Sequence, residues 1–304
     1  MLQFYKERRL KKIFSIIIPV YNGEKTIYTT IMSCLKQTYE NFEILIIDNA
    51  STDDTRKIIE TITDKRIFYL YTDKKGRSNA RNIGITRSQN EYLLFLDADD
   101  EIDSNLLMSA KNILKNTNYS GYYFGTRYIN SQNKKQTVRK PEKNWKRLLK
   151  VYNTFPINSV IIPNSVIKYF NEDFDYNEDW LFWYENLKNI DLYIDTKYVG
   201  AIVNIHGENT MSNVKNMTEN EMLVRSIIKK DLKYTDKVKN IIFYFKFMCF
   251  YLLLLDRDKD IEEQIKQNFL CIYNILYLLL KIPVIRLTIA NILENKKTSN
   301  PIQY

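Results

Sequence analysis

Three clusters of side chains in this 304-residue chain have types and spacing suited to chemistry. The densest is Phe95-Leu96-Asp97-Ala98-Asp99-Asp100, an apolar run that ends in three acids within four residues. Carboxylates this close raise one another's pKa unless a cation neutralises them. A hard divalent ion does so through carboxylate oxygens, and Mg2+ commonly shares its coordination sphere with substrate phosphates. The same acids can instead cap the following helix through Asp99 or Asp103. A second cluster, Asn177-Glu178-Asp179-Trp180, opens an amphipathic stretch, and its acids would favour the dipole of a helix beginning there. The third is His206, the only imidazole, where a strand-like run stops.

Composition narrows the chemistry. With one histidine and the separated cysteines Cys34, Cys249 and Cys271, zinc clusters and Cys-x-x-Cys redox pairs are excluded. The three thiols read as buried residues in a reducing compartment. Only 7 glycines and 6 prolines occur, so phosphate binding has few glycine nests to use. It must rely on a metal ion, cationic side chains or helix ends. The net charge of +9 is concentrated. Lys134 to Lys150 holds eight cations against Glu142, and Lys6 to Lys12 holds five against Glu7. Such patches suit nucleic acid, an anionic membrane or a phosphorylated ligand.

These groups need a scaffold, and the first 130 residues alternate two periodicities. Strand-length apolar runs occupy Phe14–Val20, Phe42–Asp48, Ile67–Tyr71, Glu91–Leu96 and Ser120–Tyr128. Helical patterns fill Glu24–Gln37, Thr52–Ile62, Arg77–Arg87 and Ser104–Lys115. Runs such as FSIIIPV and FEILIID are apolar almost throughout, as a sheet covered on both faces requires. The alternation predicts an α/β fold with a doubly wound, mostly parallel sheet flanked by helices. Ligands of such sheets bind at the carboxyl ends of the strands. Pro19-Val20-Tyr21-Asn22, Asp48-Asn49 and Asp97 to Asp100 all fall there. Beyond Ser131 a basic irregular segment is expected to leave Trp145 exposed. A helix is then expected after Pro163 and another from Glu178, with Trp180, Trp183 and Tyr184 as core. Two strands, Leu192–Asp195 and Tyr198–Ile205, lead to His206, and long helices begin near residue 213.

SIIIPVYN at Ser15–Asn22, DNASTDDT at Asp48–Thr55, NARNIG at Asn79–Gly84, LDADD and Asn177-Glu178-Asp179-Trp180 occur in the order and spacing of the family 2 glycosyltransferases. The chain resembles that family over about residues 14–212. The resemblance implies a GT-A domain at 1–212, with a nucleotide-binding half at about 14–130 and an acceptor-binding half at 131–212. A helical region, 213–304, follows. It implies a metal-dependent inverting transfer from a nucleotide-diphosphate sugar, most simply a UDP-sugar, to a hydroxyl of a glycan, lipid-linked or cell-surface polymer acceptor. Pro19, Val20, Tyr21, Asn22 and Glu24 match the loop holding the nucleoside. Asp48 matches the acid that reads the base, although Asn49-Ala50 stands where Asp-Gly is usual. Arg81 matches a cation near the nucleotide, Asp97 matches the residue beside the ribose, and Ala98 is a further nucleotide-sugar contact. Asp99 matches the principal ligand of Mn2+ or Mg2+, the ion that stabilises the departing diphosphate. Asp179 matches the general base, with Glu178 and Trp180 as acceptor contacts. The stretch from His206 to Ser212 is similar to the family's Tyr-Arg-x-His-x-x-Ser, whose histidine completes the metal and diphosphate site. Here Val203-Asn204 replaces Tyr-Arg.

Two alternatives share these residues. A nucleotidyltransferase on a similar sheet would use the same acids, but with a glycine-rich basic loop where this chain has PVYNGEKT. A catalytically silent relative would serve as a partner subunit. Nucleic acid is disfavoured by acids at the ligand edge. No signal peptide or secure membrane span is read, the longest uncharged apolar-rich stretch being Gln267 to Leu280. The expected location is cytoplasmic, with the inner membrane face as a site of action. The apolar run Ile241–Leu255 reads either as a buried helix or as a surface for oligomers or membrane.

Overall fold

A computed structural model of the chain describes residues 13–206, 213–254 and 256–297. The chain forms two compact units, neither continuous in sequence. The first comprises Met1–Lys143, Phe155–Glu172 and Asn186–His206, and the second Asn144–Thr154, Asp173–Glu185 and Gly207–Tyr304.

The first unit is the expected α/β architecture. Strands β1 (Phe14–Val20) and β2 (Phe42–Asn49) are buried at every position, which is why their sequences are mostly apolar, with Ser15, Glu43, Asp48 and Asn49 as buried polar residues. With β3 (Ile67–Thr72) and β4 (Tyr92–Phe95) they form a parallel ladder in the order β3-β2-β1-β4. Helices α1 (Ile27–Leu35), α2 (Thr55–Glu60) and α3 (Arg77–Arg87) make the crossovers. Helix α3 lies hard against the sheet. A Cβ on Gly84 would meet Ile17 Cγ2 at 2.4 Å and Ile47 Cδ1 at 3.1 Å, so only glycine permits this approach.

The sheet continues with β5 (Glu101–Ile102), β6 (Gly121–Asn130), β7 (Gln136–Arg139), β8 (Val160–Pro163) and β9 (Leu192–Ile205), helix α4 (Leu106–Asn116) lying between β5 and β6 in the chain. The order beyond β4 is β8-β6-β9-β5, with β7 on β6. Here β8 is antiparallel to its neighbours, while β6 and β9 run parallel. A core of Phe14, Ile16, Ile18, Ile44, Ile46, Leu94 and Phe124 fills the space beneath the helices.

Several local expectations are corrected. After Pro163 there is only a three-residue turn, Asn164–Val166. The Asn164 amide donates to Glu91 O at 2.8 Å, holding the chain to the sheet edge instead of releasing it into a helix. The two strands expected before His206 are one, β9, with a register shift opposite Tyr123–Thr126. Asp195 Oδ1 accepts from the Lys197 and Tyr198 amides at 3.0 Å each, a local turn that the strand absorbs. Trp145 is buried, not exposed. It opens a short helix, α5 (Trp145–Leu148), while Lys146 lies over its ring. Cys34 and Cys249 are buried thiols as expected, but Cys271 is exposed.

In the second unit, α6 (Glu178–Asn186) and the long helices α7 (Val214–Asp231), α8 (Tyr234–Leu253), α9 (Lys259–Leu279) and α10 (Pro283–Lys297) follow. Met222, Tyr244, Phe247, Met248, Tyr251, Ile265 and Phe269 pack as its core. Buried Tyr244, Phe247 and Met248 account for part of the apolar run from Ile241; Leu255 lies outside the described residues. Among the described residues no single helix is long and apolar enough to cross a membrane. One pair, Lys259–Leu279 and Pro283–Leu293, meets that test only jointly and is bent by 110°.

Candidate active site

In the first unit the candidate residues gather at one sheet edge. Val20 pairs with Asp48 in the β1–β2 register, and Leu96 N bonds Ile17 O at 3.0 Å, so Asp97 emerges on the other side of β1. Pro19, Val20 and Asp48 are buried, whereas Tyr21, Asn22 and Glu24 are exposed on the loop after β1. That loop is tied to the one after β2. Asn22 N donates to Ser51 Oγ at 2.9 Å and Asn22 Oδ1 accepts from Thr52 N at 2.8 Å. Gly23 N donates to Thr55 Oγ1, Glu24 N to Asp53 Oδ2, and Asp54 N to Glu24 Oε2. Asn22 takes the left-handed conformation at φ 49°, which asparagine tolerates. Ala50 also sits there, at φ 62°, the position that favours glycine.

Asp48 is held on both oxygens. Oδ1 accepts from Ser51 N at 2.8 Å and Oδ2 from Tyr69 Oη at 2.7 Å. Burial and the Asp48 charge together push the Tyr69 hydroxyl far above its ordinary range, so it stays a donor.

The acid loop after β4 gives each carboxylate a different partner. Asp97 Oδ1 accepts from Arg81 at 2.7 Å, and Arg81 is fully buried on α3 with Phe170 beneath its guanidinium. Burial pushes the Asp97 carboxyl up, but Arg81 and Arg77 outweigh it and hold it below the usual carboxylate range. Asp99 Oδ2 lies 2.9 Å from His206 Nε2. Burial and the neighbouring Asp97 charge push Asp99 up, against the pull of His206. Asp100 is buried, accepting from Asn158 Nδ2 at 2.9 Å and Asn204 N at 3.1 Å. Burial and the charges of Asp99 and Asp97 push it well above the usual range. Asn204 Nδ2 also donates to Asp99 O at 2.9 Å, and Thr30 Oγ1 to Ala98 O at 2.9 Å. Thus Asn204, at the family's arginine position, fastens the acid loop to β9.

The anchors Asn158, Asn204, Thr30 and Tyr69 lay outside the candidate set. Asn158 follows no motif and reaches Asp100 from 58 positions away. A signal existed only for Asn204, as the position where the chain departs from the family pattern.

Asp99 and His206 supply an oxygen and a nitrogen donor, both part-exposed. Among the described residues no group of three or more His, Cys, Asp and Glu could hold a metal by itself. The two donors, 2.9 Å apart, are of the types that a divalent ion takes, and alone they would fill only part of its coordination sphere. Gly207 to Ser212 lie outside the described residues.

Glu178, Asp179 and Trp180 belong to the second unit, in the first turn of α6. Asn177 precedes the helix at φ 58°. Asp179 is half-buried, with Oδ2 accepting from Asn153 Nδ2 at 2.7 Å and Oδ1 from the Trp180 amide at 2.8 Å. Glu178 is buried. Trp180 is fully buried, its Nε1 donating to Leu149 O at 2.7 Å and its ring covered by the Arg225 guanidinium. Its ring is thus a core element of the unit, which leaves it no face for an acceptor. Trp183 and Tyr184 are likewise buried, as expected.

Comparison with known proteins agrees with this fold. The family model described as Glycosyl transferase family 2 matches residues 15–173. WfaP of Escherichia coli, a UDP-Glc:alpha-D-GlcNAc-diphosphoundecaprenol beta-1,3-glucosyltransferase, is 30% identical over 222 residues, covering 71% of this chain and 87% of that protein. WfgD of Escherichia coli, described by the same activity, is 34% identical over 180 residues, covering 58% and 70%. The crystal structure of S. aureus TarS 1-349 in complex with UDP-GlcNAc superposes with a TM-score of 0.61 at 20% identity, covering 79% of this chain and 71% of that one, and shares the fold. With a family model spanning more than half its length and a relative 30% identical over most of that relative's length, this chain belongs to glycosyl transferase family 2 and is a glycosyltransferase.

Proposed function

We propose that this protein transfers a sugar from a UDP-sugar to a hydroxyl of a lipid-linked or surface-polymer glycan, with inversion at the anomeric carbon. The observation that carries the reading is the convergence of the β1, β2 and β4 termini, which sets Asn22, Asp48 and the Asp97–Asp100 loop on one sheet edge. A UDP donor is supported by the names of WfaP and WfgD and by the ligand of the TarS complex. A lipid-diphosphate acceptor is supported by the same two names.

The loop from Pro19 to Glu24 and Asp48 would hold the nucleoside, with Asp97 beside the ribose, Ala98 a further contact to the nucleotide-sugar, and Arg81 near the nucleotide behind Asp97. Arg81 keeps Asp97 ionised and ready to accept from a sugar hydroxyl. Asp99 and His206 would hold Mg2+ or Mn2+. When bound, that ion supplies Lewis-acid stabilisation of negative charge on the departing diphosphate. Asp179 is assigned the base: it takes the proton as the acceptor oxygen bonds the anomeric carbon and the carbon–oxygen bond to diphosphate breaks. Asn153, donating to Asp179, fixes the orientation of that carboxylate.

The test is a transfer assay across UDP-, GDP-, dTDP- and CDP-sugars with a polyprenyl-diphosphate sugar as acceptor. Turnover with a UDP-sugar is expected, and Asp179→Asn should lower kcat about 10²- to 10⁴-fold while donor affinity persists. An Asp179→Asn enzyme as active as the parent would remove that residue from its role. Pyrophosphate released from a nucleoside triphosphate would instead favour a nucleotidyltransferase.

A further inference from the structure

We propose that the corner between α9 and α10 docks this protein onto the surface of an anionic lipid bilayer. In α9 the side chains of Ile265, Phe269, Tyr273 and Leu276 are buried against the second unit, which satisfies the apolar face a helix of this kind needs. The outward side is apolar as well. Leu270 and Ile275 are exposed, Leu278 is 63% exposed, Ile282 is exposed in the bend, and Val284 and Leu287 on α10 are 73% and 64% exposed. Scattered exposed leucines are ordinary, but a run of exposed apolar side chains on either side of one bend marks a contact surface.

Charge selects the occupant. From Gln264 through Leu293 the chain contains Lys266, Lys281 and Arg286 and no Asp or Glu. Lys281 and Arg286 flank the corner, with Lys281 over the Tyr277 ring at 4.8 Å. Apolar residues edged by cations and an aromatic ring match the boundary between acyl chains and anionic head groups. A second copy seated on the same face would set these cations against themselves, with no acid in the stretch to pair them. The two helices meet at a 110° bend, so they do not continue as one straight span. This inference uses the second unit alone and holds or fails independently of the donor and acceptor.

The experiment is co-sedimentation of the full chain with vesicles of phosphatidylcholine, with and without phosphatidylglycerol, alongside light scattering of the free protein. The chain should pellet with phosphatidylglycerol vesicles and release in high salt. K281Q/R286Q should weaken partitioning about thirtyfold at low salt. L278S/V284S/L287S should weaken it about a hundredfold, with an unchanged thermal midpoint because the three sites are exposed. A parent protein left in the supernatant, or a serine variant that pellets equally well, overturns the proposal. Two copies by light scattering that the serine variant separates, without vesicle binding, would give the corner to a second copy instead.

Discussion

The acid loop after β4 and the first turn of α6 both present carboxylates, yet they are positioned by different forces. Polar bonds from distant chain segments hold the loop: Arg81 on Asp97, His206 on Asp99, Asn158 and Asn204 on Asp100. Apolar burial anchors the α6 turn, with Trp180 and Trp183 wholly inside and Arg225 stacked on Trp180, while Asn153 adds one bond that orients Asp179. The lesson is that a small polar change should act on function in the loop, whereas in α6 a packing change should act first on stability.

The largest effect is expected at Asp99. Asp99→Asn should lower turnover about 10³-fold, the several kcal/mol that a Lewis acid contributes, with little change in thermal midpoint. A comparable loss of stability would show the loop to be structural. Next, Trp180→Ala should cost about 3–5 kcal/mol in denaturant unfolding. Part of that loss arises because the buried Arg225 guanidinium loses one of the three rings it lies over, keeping Tyr244 and Phe247. A smaller effect is expected at Asn158. Asn158→Ala leaves the buried Asp100 short of a donor and should cost about 1–3 kcal/mol. The smallest change should be a gain. Ala50→Gly relieves a left-handed φ and should stabilise by about 0.5–1 kcal/mol, read as a raised midpoint. A loss at Ala50→Gly would mean that the alanine methyl packs usefully.

Sequence reasoning reached the two regions unequally, for physical reasons. Phe14–Val20 and Phe42–Asn49 are readable because a strand buried on both faces must be apolar along its length. The sheet edge is readable because parallel strands bring their carboxyl ends together. Of the acid loop's anchors Arg81 and His206 are readable from their motifs, whereas Asn158 is not, because it precedes β8, which joins the sheet out of chain order. Trp145 misleads because Lys143, Lys146 and Arg147 surround it in sequence; Lys146 lies over the ring while the indole turns inward. The segment after Pro163 misleads because proline suits a helix start equally well as a strand end. The exposed corner at Leu278–Leu287 carries the same residue types as the core beneath it, so composition does not separate outward from inward.

The central claim is that Asp99, with His206, couples diphosphate binding to a divalent ion. Calorimetric titration of UDP with and without Mn2+ into the parent and Asp99→Asn tests it most directly. Tight UDP binding that requires Mn2+ in the parent and is lost in Asp99→Asn is predicted. Equal UDP affinity in both proteins, indifferent to Mn2+, would contradict it.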